Sequence, residues 1–138
     1  MHIVSILDFP LIGLRLNAPF GEADVLGLET RMRELLTGCE GAVFCSDLRG
    51  IGVLSPTTAD ALLALLREDN RAVAKAAIFV GEDATFSLQM RRIVNSAGHP
   101  GRQVFARVED GVEWLVGGLE PRLRSAVEQF LKYEDKTS

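Results

Sequence analysis

The chain has 138 residues, a formal net charge of -4, a pI near 5.2 and 47% hydrophobic residues. That length and apolar content suit one domain whose core needs neither disulfides nor a metal. The acidic balance argues against a general nucleic-acid or anionic-membrane binder, and no apolar run approaches the ~18 residues that span a bilayer.

The opening MHIVSILDFP lacks a basic segment and a small-residue cleavage site. It is expected to be the first strand of a cytoplasmic protein and not a signal peptide. Two short strands, 2–7 and 11–17, are joined by Asp8-Phe9-Pro10, a tight proline turn that predicts antiparallel pairing. From Glu22 to Thr37, Val25, Leu28, Met32, Leu35 and Leu36 recur at helical spacing, and Gly38 ends the run. Residues 41–48 (GAVFCSDL) form a continuous apolar run with β-branched and aromatic members, the pattern of a central strand.

Ser55-Pro56 opens the second helix: serine caps free N–H groups, and proline fits the first helical position. Its buried stripe is Ala59, Leu62, Leu63 and Leu66. Residues 76–81 (AAIFVG) read as another buried strand. Asp83 caps a third helix with Phe86, Met90, Ile93, Val94 and Ala97 on one face. A short edge strand is predicted over 103–108. A helical stripe follows at Val112, Leu115, Val116 and Leu119, and an amphipathic helix at 122–133 ends the chain. The order β-β-α-β-α-β-α-β-α-α predicts an α/β fold: a single, mixed, mostly parallel five-stranded sheet with packed helices. The expected division is a domain over 2–119 and a C-terminal helix over 120–134, which packs on that domain or across a homodimer.

Signals for chemistry are sparse. There is no G-x-G-x-x-G after a strand, no phosphate-binding G-x-x-x-x-G-K-[ST] and no G-x-S-x-G elbow. The two histidines, His2 and His99, are not placed to serve a hydrolase, and His99 reads as a solvated turn residue at the far end of the sheet. Cys39 and Cys45 fit no zinc pattern and read as free thiols. Arg91, Arg92, Arg102 and Arg107 read as solvated helix and edge charges, and Trp114 as a packing residue at the sheet margin. No enzyme activity, metal or cofactor is expected. Arginine dominates the basic residues, the only lysines being Lys75, Lys132 and Lys136, which points to a GC-rich bacterial source.

Function in open α/β sheets gathers where the parallel strands end. That rim carries Glu22, Asp24, Asp47, Glu82 and Asp83 against Arg49 alone, a pattern suited to a basic or neutral partner and hostile to a nucleotide phosphate. The segment DLRGIGVLSPTTADALLAL (47–65) and the element order resemble the STAS family, the sulfate-transporter cytoplasmic domains and anti-sigma-factor antagonists. The family pattern is a strand ending Asp-Leu-Ser-x-Val-x-Phe-Ile-Asp-Ser-Ser-Gly, then a helix. Asp47 and Leu48 match, Gly50 and Ile51 fit, and Val53-Leu54 take the apolar pair. The helix bearing Trp114-Leu115 is similar to the SpoIIAA-like branch, and the resemblance covers about residues 2–119.

The resemblance implies a regulatory, protein-binding domain with a kinase-like or sigma-regulatory partner. It places the partner surface at Asp47, Arg49, Gly50, Ser55, Thr57, Thr58 and Asp83. In the antagonists a serine at the helix start is phosphorylated, and the charge disrupts partner binding. Here Ser55 takes the aspartate position, Pro56 the phosphoacceptor position and Thr57 that of the second serine. Proline has no hydroxyl, so the usual switch is absent, and Thr57 and Thr58 are the alternative acceptors. The competing expectation is a sensor or carrier of a small-molecule ligand, lipid-like or aromatic, with an apolar cavity lined by Phe20, Leu54 and Phe86.

Overall fold

The computed structural model describes residues 2–117 and 120–137, with side chains as far as Lys132. The elements are β1 (His2–Asp8), β2 (Leu11–Asn17), α1 (Glu22–Leu36), β3 (Ala42–Gly50) and α2 (Pro56–Asp69). They continue as β4 (Val73–Phe79), α3 (Ala84–Ala97), β5 (Arg102–Phe105), α4 (Val108–Val116) and α5 (Pro121–Thr137). The architecture is α/β, with one mixed five-stranded sheet and five helices.

The sheet order is β1-β2-β3-β4-β5, with β1 antiparallel to β2 and the other three pairings parallel. Because strand order never reverses, successive crossovers of one hand lay α1, α2 and α3 on the same face. No switch point arises, and with it no switch-point crevice of the kind that holds ligands in doubly wound sheets.

Strand alternation divides the interior into two layers. Ile12, Leu16, Phe44, Leu48, Ala76 and Ile78 face α1–α3, where they meet Val25, Leu28, Leu62, Phe86 and Met90. Leu11, Cys45, Ala77 and Phe79 face the other way, against Val112, Leu115 and Val116 of α4 and Val127, Phe130 and Leu131 of α5. Val127, Phe130 and Leu131 of α5 are therefore buried on the domain itself. Fully burying side chains of this size contributes about 1.5–3 kcal/mol each. Gly13 permits the approach: a Cβ there would lie 2.8 Å from the Phe130 ring.

Several boundaries differ from the sequence reading. β4 begins at Val73, before the expected Ala76, because Val73 and Lys75 already pair with Ala42 and Val43. Lys75 interrupts the apolar run, but its ammonium lies 4.4 Å from the centre of the Trp114 ring and donates to the Trp114 carbonyl. Trp114 is half-buried and packs on Phe105 at 5.5 Å. β5 stops at Phe105 because α4 starts at Val108, four residues before its expected stripe. Gly118 and Leu119, at the expected domain boundary, lie outside the described residues.

Candidate functional site

The end of β3 carries the two charges of the resemblance segment, and the fold turns them inward. Asp47 is completely buried. In the parallel β2–β3 ladder its partner is Arg15, so both side chains leave the same face of the sheet. Asp47 Oδ2 accepts from Arg15 Nε at 3.5 Å, and Oδ1 accepts from Arg49 Nε at 2.9 Å and from the Arg49 N–H at 3.1 Å. The second oxygen also accepts from Arg49 NH2 at 3.0 Å.

One carboxylate thus faces two guanidinium groups. The excess positive charge is answered by α5, whose Leu131 carbonyl accepts from Arg49 at 2.7 Å and whose Phe130 carbonyl accepts from Arg15. Arg15 also lies over the Phe130 ring, 4.3 Å from its centre. The expected partner contact at Asp47 is therefore corrected: its carboxylate has no exposed surface and ties β2, β3 and α5 together. Arg49 is half-buried in the same cluster. Gly50 is half-buried too, still within β3, and its carbonyl accepts from Ala18 N–H at 3.1 Å.

Beyond β3 the chain is held at three points. Ile51 N–H donates to the Leu48 carbonyl at 3.2 Å, and the Ile51 side chain is buried. Gln89 of α3 clasps Leu54 on both sides: Leu54 N–H donates to Gln89 Oε1 at 2.8 Å, and Gln89 Nε2 donates to the Leu54 carbonyl at 2.9 Å. Ser55 caps α2, accepting from Thr58 N–H at 3.2 Å, with Pro56 at the first position. With Ile51 and Leu54 turned inward, Gly52 and Val53 face solvent, Val53 at 55% exposure.

The threonines part company. Thr57 is exposed, its hydroxyl 3.3 Å from that of Ser55. Thr58 is buried and bonded to Ser55 Oγ at 2.8 Å, which corrects its expected role as a partner contact or phosphoacceptor. Asp83 is exposed but occupied, capping α3 through the N–H groups of Thr85 and Phe86 at 3.0 and 3.1 Å. Asp24 accepts from Gly21 N–H at 2.8 Å, and this bond lowers its pKa. The acidic rim therefore divides into the buried Asp47, the capping residues Asp24 and Asp83, and the exposed Glu22 and Glu82.

Other sequence candidates also change. His99 is half-buried: Gly101 N–H donates to its Nδ1 at 2.8 Å, and Nε2–H donates to the Val73 carbonyl at 2.6 Å. It braces the start of β4 at the far end of the sheet and is not a solvated turn residue. Arg102 is buried, not a solvated edge charge, and it donates to Asn70 and, at 2.9 Å, to the Leu66 carbonyl. Cys45 is buried, and burial, with the Asp47 charge, pushes its thiol up to about 12, so it is no nucleophile. Among the described residues, no three His, Cys, Asp or Glu side chains converge to hold a metal, and no helix is long and apolar enough to cross a membrane.

The expected ligand cavity is placed differently. Leu54 and Phe86 belong to the filled core. A cavity of about 60 Å³ lies deeper between the sheet and α1–α3, among Leu14, Phe44, Leu65, Met90 and Ser46, with Asp69 and Arg102 at one end. Ser46 is buried, and its hydroxyl has no hydrogen-bond partner among the described residues.

Sequence reasoning passed over Arg15, Gln89 and Leu88, and it places Val53 only as half of an apolar pair with Leu54, whereas Val53 is exposed and Leu54 buried. Arg15 had a signal, the one charge in the mostly apolar LIGLRLN, with Asp47 the one charge in the predicted strand 41–48. Gln89 had none, since its partner is a main-chain group 35 residues away in sequence. No family model matches the chain, and no curated protein matches it in sequence.

Proposed function

We propose that this chain is a non-catalytic, STAS-like regulatory domain that binds a protein partner in the cytoplasm through the β3–α2 loop and the adjoining start of α3. The observation that carries this reading is the Gln89–Leu54 clasp. It fixes a loop between a strand end and a helix start, and leaves the loop's outer side apolar at Val53. Pre-organised loops on a rigid scaffold lose little conformational entropy on binding. Leu88, next to the clasp, is 51% exposed and extends the apolar contact, while Thr57, Glu82 and Asp83 supply a polar, acidic border. A partner of kinase-like or sigma-regulatory type with a neutral to basic face suits that border.

Pro56 at the first helical position leaves the usual acceptor site without a hydroxyl. Thr57 is the one exposed hydroxyl of the original pair. A phosphate there would add charge at the start of α2, where the helix tolerates it, but beside the apolar contact at Val53 its bulk and the cost of stripping its water would oppose a docked partner.

Capture of partners from lysate by the wild type and a Val53→Glu, Thr57→Glu double variant, read by mass spectrometry, tests this reading. The expected result is a kinase-like or sigma-regulatory protein bound by the wild type and lost from the variant. Identical captures, or none, would remove the loop as the interface.

A ligand-carrier function is the second reading, favoured by the buried Ser46 hydroxyl, which has no hydrogen-bond partner among the described residues and lines the cavity. At about 60 Å³ the space is well below the ~300 Å³ typical of small-molecule sites. Protein binding is therefore preferred.

A further inference from the structure

β1 ends the sheet, so among the described residues its edge away from β2 has no neighbouring strand. Such edges template pairing with other chains, and monomeric proteins defend them with lysine, proline, inward charges or very short strands. The opposite edge, β5, follows that practice with four residues. β1 does not: HIVSILD runs for seven residues with no lysine, arginine or proline. Ile3 and Ile6 are 40% and 57% exposed, and Phe9 just beyond is 54% exposed. Beside the strand an open groove of about 550 Å³ runs between β1 and α5, lined mainly by Ile3, Ile6, Leu7, Ala126 and Phe130, with Ser5, Arg15 and Gln129 as its polar members.

We infer that this edge is a self-association site, at which two copies of the chain pair antiparallel through β1 about a two-fold axis at Ser5. The occupant follows from the strand's own order. A two-fold contact must be self-complementary, and HIVSILD reads apolar, apolar, Ser, apolar, apolar about its centre. Antiparallel pairing at Ser5 sets Ile3 against Leu7, Val4 against Ile6 and Ser5 against its copy. The ends bring His2 alongside Asp8, so no like charges meet. Each copy then fills the groove of the other with Ile3 and Leu7, and the two sheets join into one. The bulge between Ile6 and Asp8 limits the regular ladder to Val4–Ile6, and beyond it Ile3 and Leu7, then His2 and Asp8, lie near one another without ladder bonds. This site lies on a different element from the β3–α2 loop, so its fate is independent of the partner-binding proposal.

The test is sedimentation velocity of the full chain from low to high micromolar concentration, beside an Ile3→Lys, Ile6→Lys variant. Both positions are exposed, so the variant should keep the wild-type circular dichroism and melting curve. The expected result is a wild-type dimer, weakened about a hundredfold or more in the variant, because each lysine charge is set against an apolar side chain, Leu7 or Val4, of the other copy. Amide exchange in β1 should also slow with concentration in the wild type alone. A wild type that stays monomeric throughout would overturn the inference. So would a dimer that the variant retains at full strength, or one without β1 protection.

Discussion

Arg15 and Asp47 stand opposite each other in the parallel ladder of β2 and β3, their side chains 3.5 Å apart and almost wholly removed from water. Breaking a buried ion pair by removing one partner is far more damaging than removing both, because a charge is left without compensation. Asp47→Asn is expected to destabilise the protein by about 3–5 kcal/mol in urea unfolding. It should also loosen α5, since both guanidinium groups that hold its carbonyls lose their anchor. A loss below about 1 kcal/mol would mean that the cluster is hydrated and not structural.

The contact of α5 with the sheet depends on a missing side chain. Gly13→Ala places a methyl group 2.8 Å from the Phe130 ring, so the ring must shift or α5 must lift. The expected cost is about 1–3 kcal/mol. Phe130→Leu in the same chain should recover part of it, as a smaller side chain makes room. Strict additivity of the two changes in denaturant midpoints would show that the residues do not share this contact.

Asp69 predicts a pH dependence. Burial, followed by the nearby Glu68 charge, raises its pKa to about 6. In the unfolded chain a carboxyl titrates near ~3.9, so the folded form holds its proton more tightly. The stability linked to this group is present below about pH 4 and is lost as pH rises through about 6. Asp69→Asn should therefore match the wild type at low pH and exceed it at pH 7.5 by on the order of 1 kcal/mol, discounted for partial exposure. Denaturant midpoints measured across pH would check this, and parallel curves would refute it.

Ser46→Ala probes the hydroxyl beside the internal cavity. Ser46 is buried and its hydroxyl has no partner among the described residues, a cost in free energy that alanine avoids, so the change should be neutral or stabilising by about 1 kcal/mol. Fluorescence-monitored unfolding would measure it. A clear loss would mean that a buried water or ligand satisfies the hydroxyl.

Gln89→Ala removes both bonds to Leu54 and leaves a half-buried main-chain pair open. The expected cost is about 1–3 kcal/mol, with faster exchange of the Leu54 amide and weaker binding of any partner at Val53. Unchanged exchange would show that the Ser55 cap and buried Ile51 hold the loop without help.

By itself the sequence determined the element order, the start of α2 at Ser55-Pro56, the cap at Asp83 and the apolar stripe of α5. These are local: periodicity, capping chemistry and glycine stops act within one turn or one strand. The charge on the carboxyl edge was equally visible, but its direction was not. Whether Asp47 meets a partner or Arg15 depends on the register of β2 against β3, where a shift by one residue would turn it to the opposite face. Thr58 likewise reads as a free hydroxyl until helix geometry places it under the Ser55 cap. His99 and Arg102 were read as solvated because their partners, Val73, Leu66 and Asn70, are remote in sequence and are reached mostly through main-chain oxygens. Only the tertiary structure decided which charges are buried, which loop residues face outward and what α5 covers. Those outcomes depend on register and packing between segments distant along the chain, which no local pattern encodes.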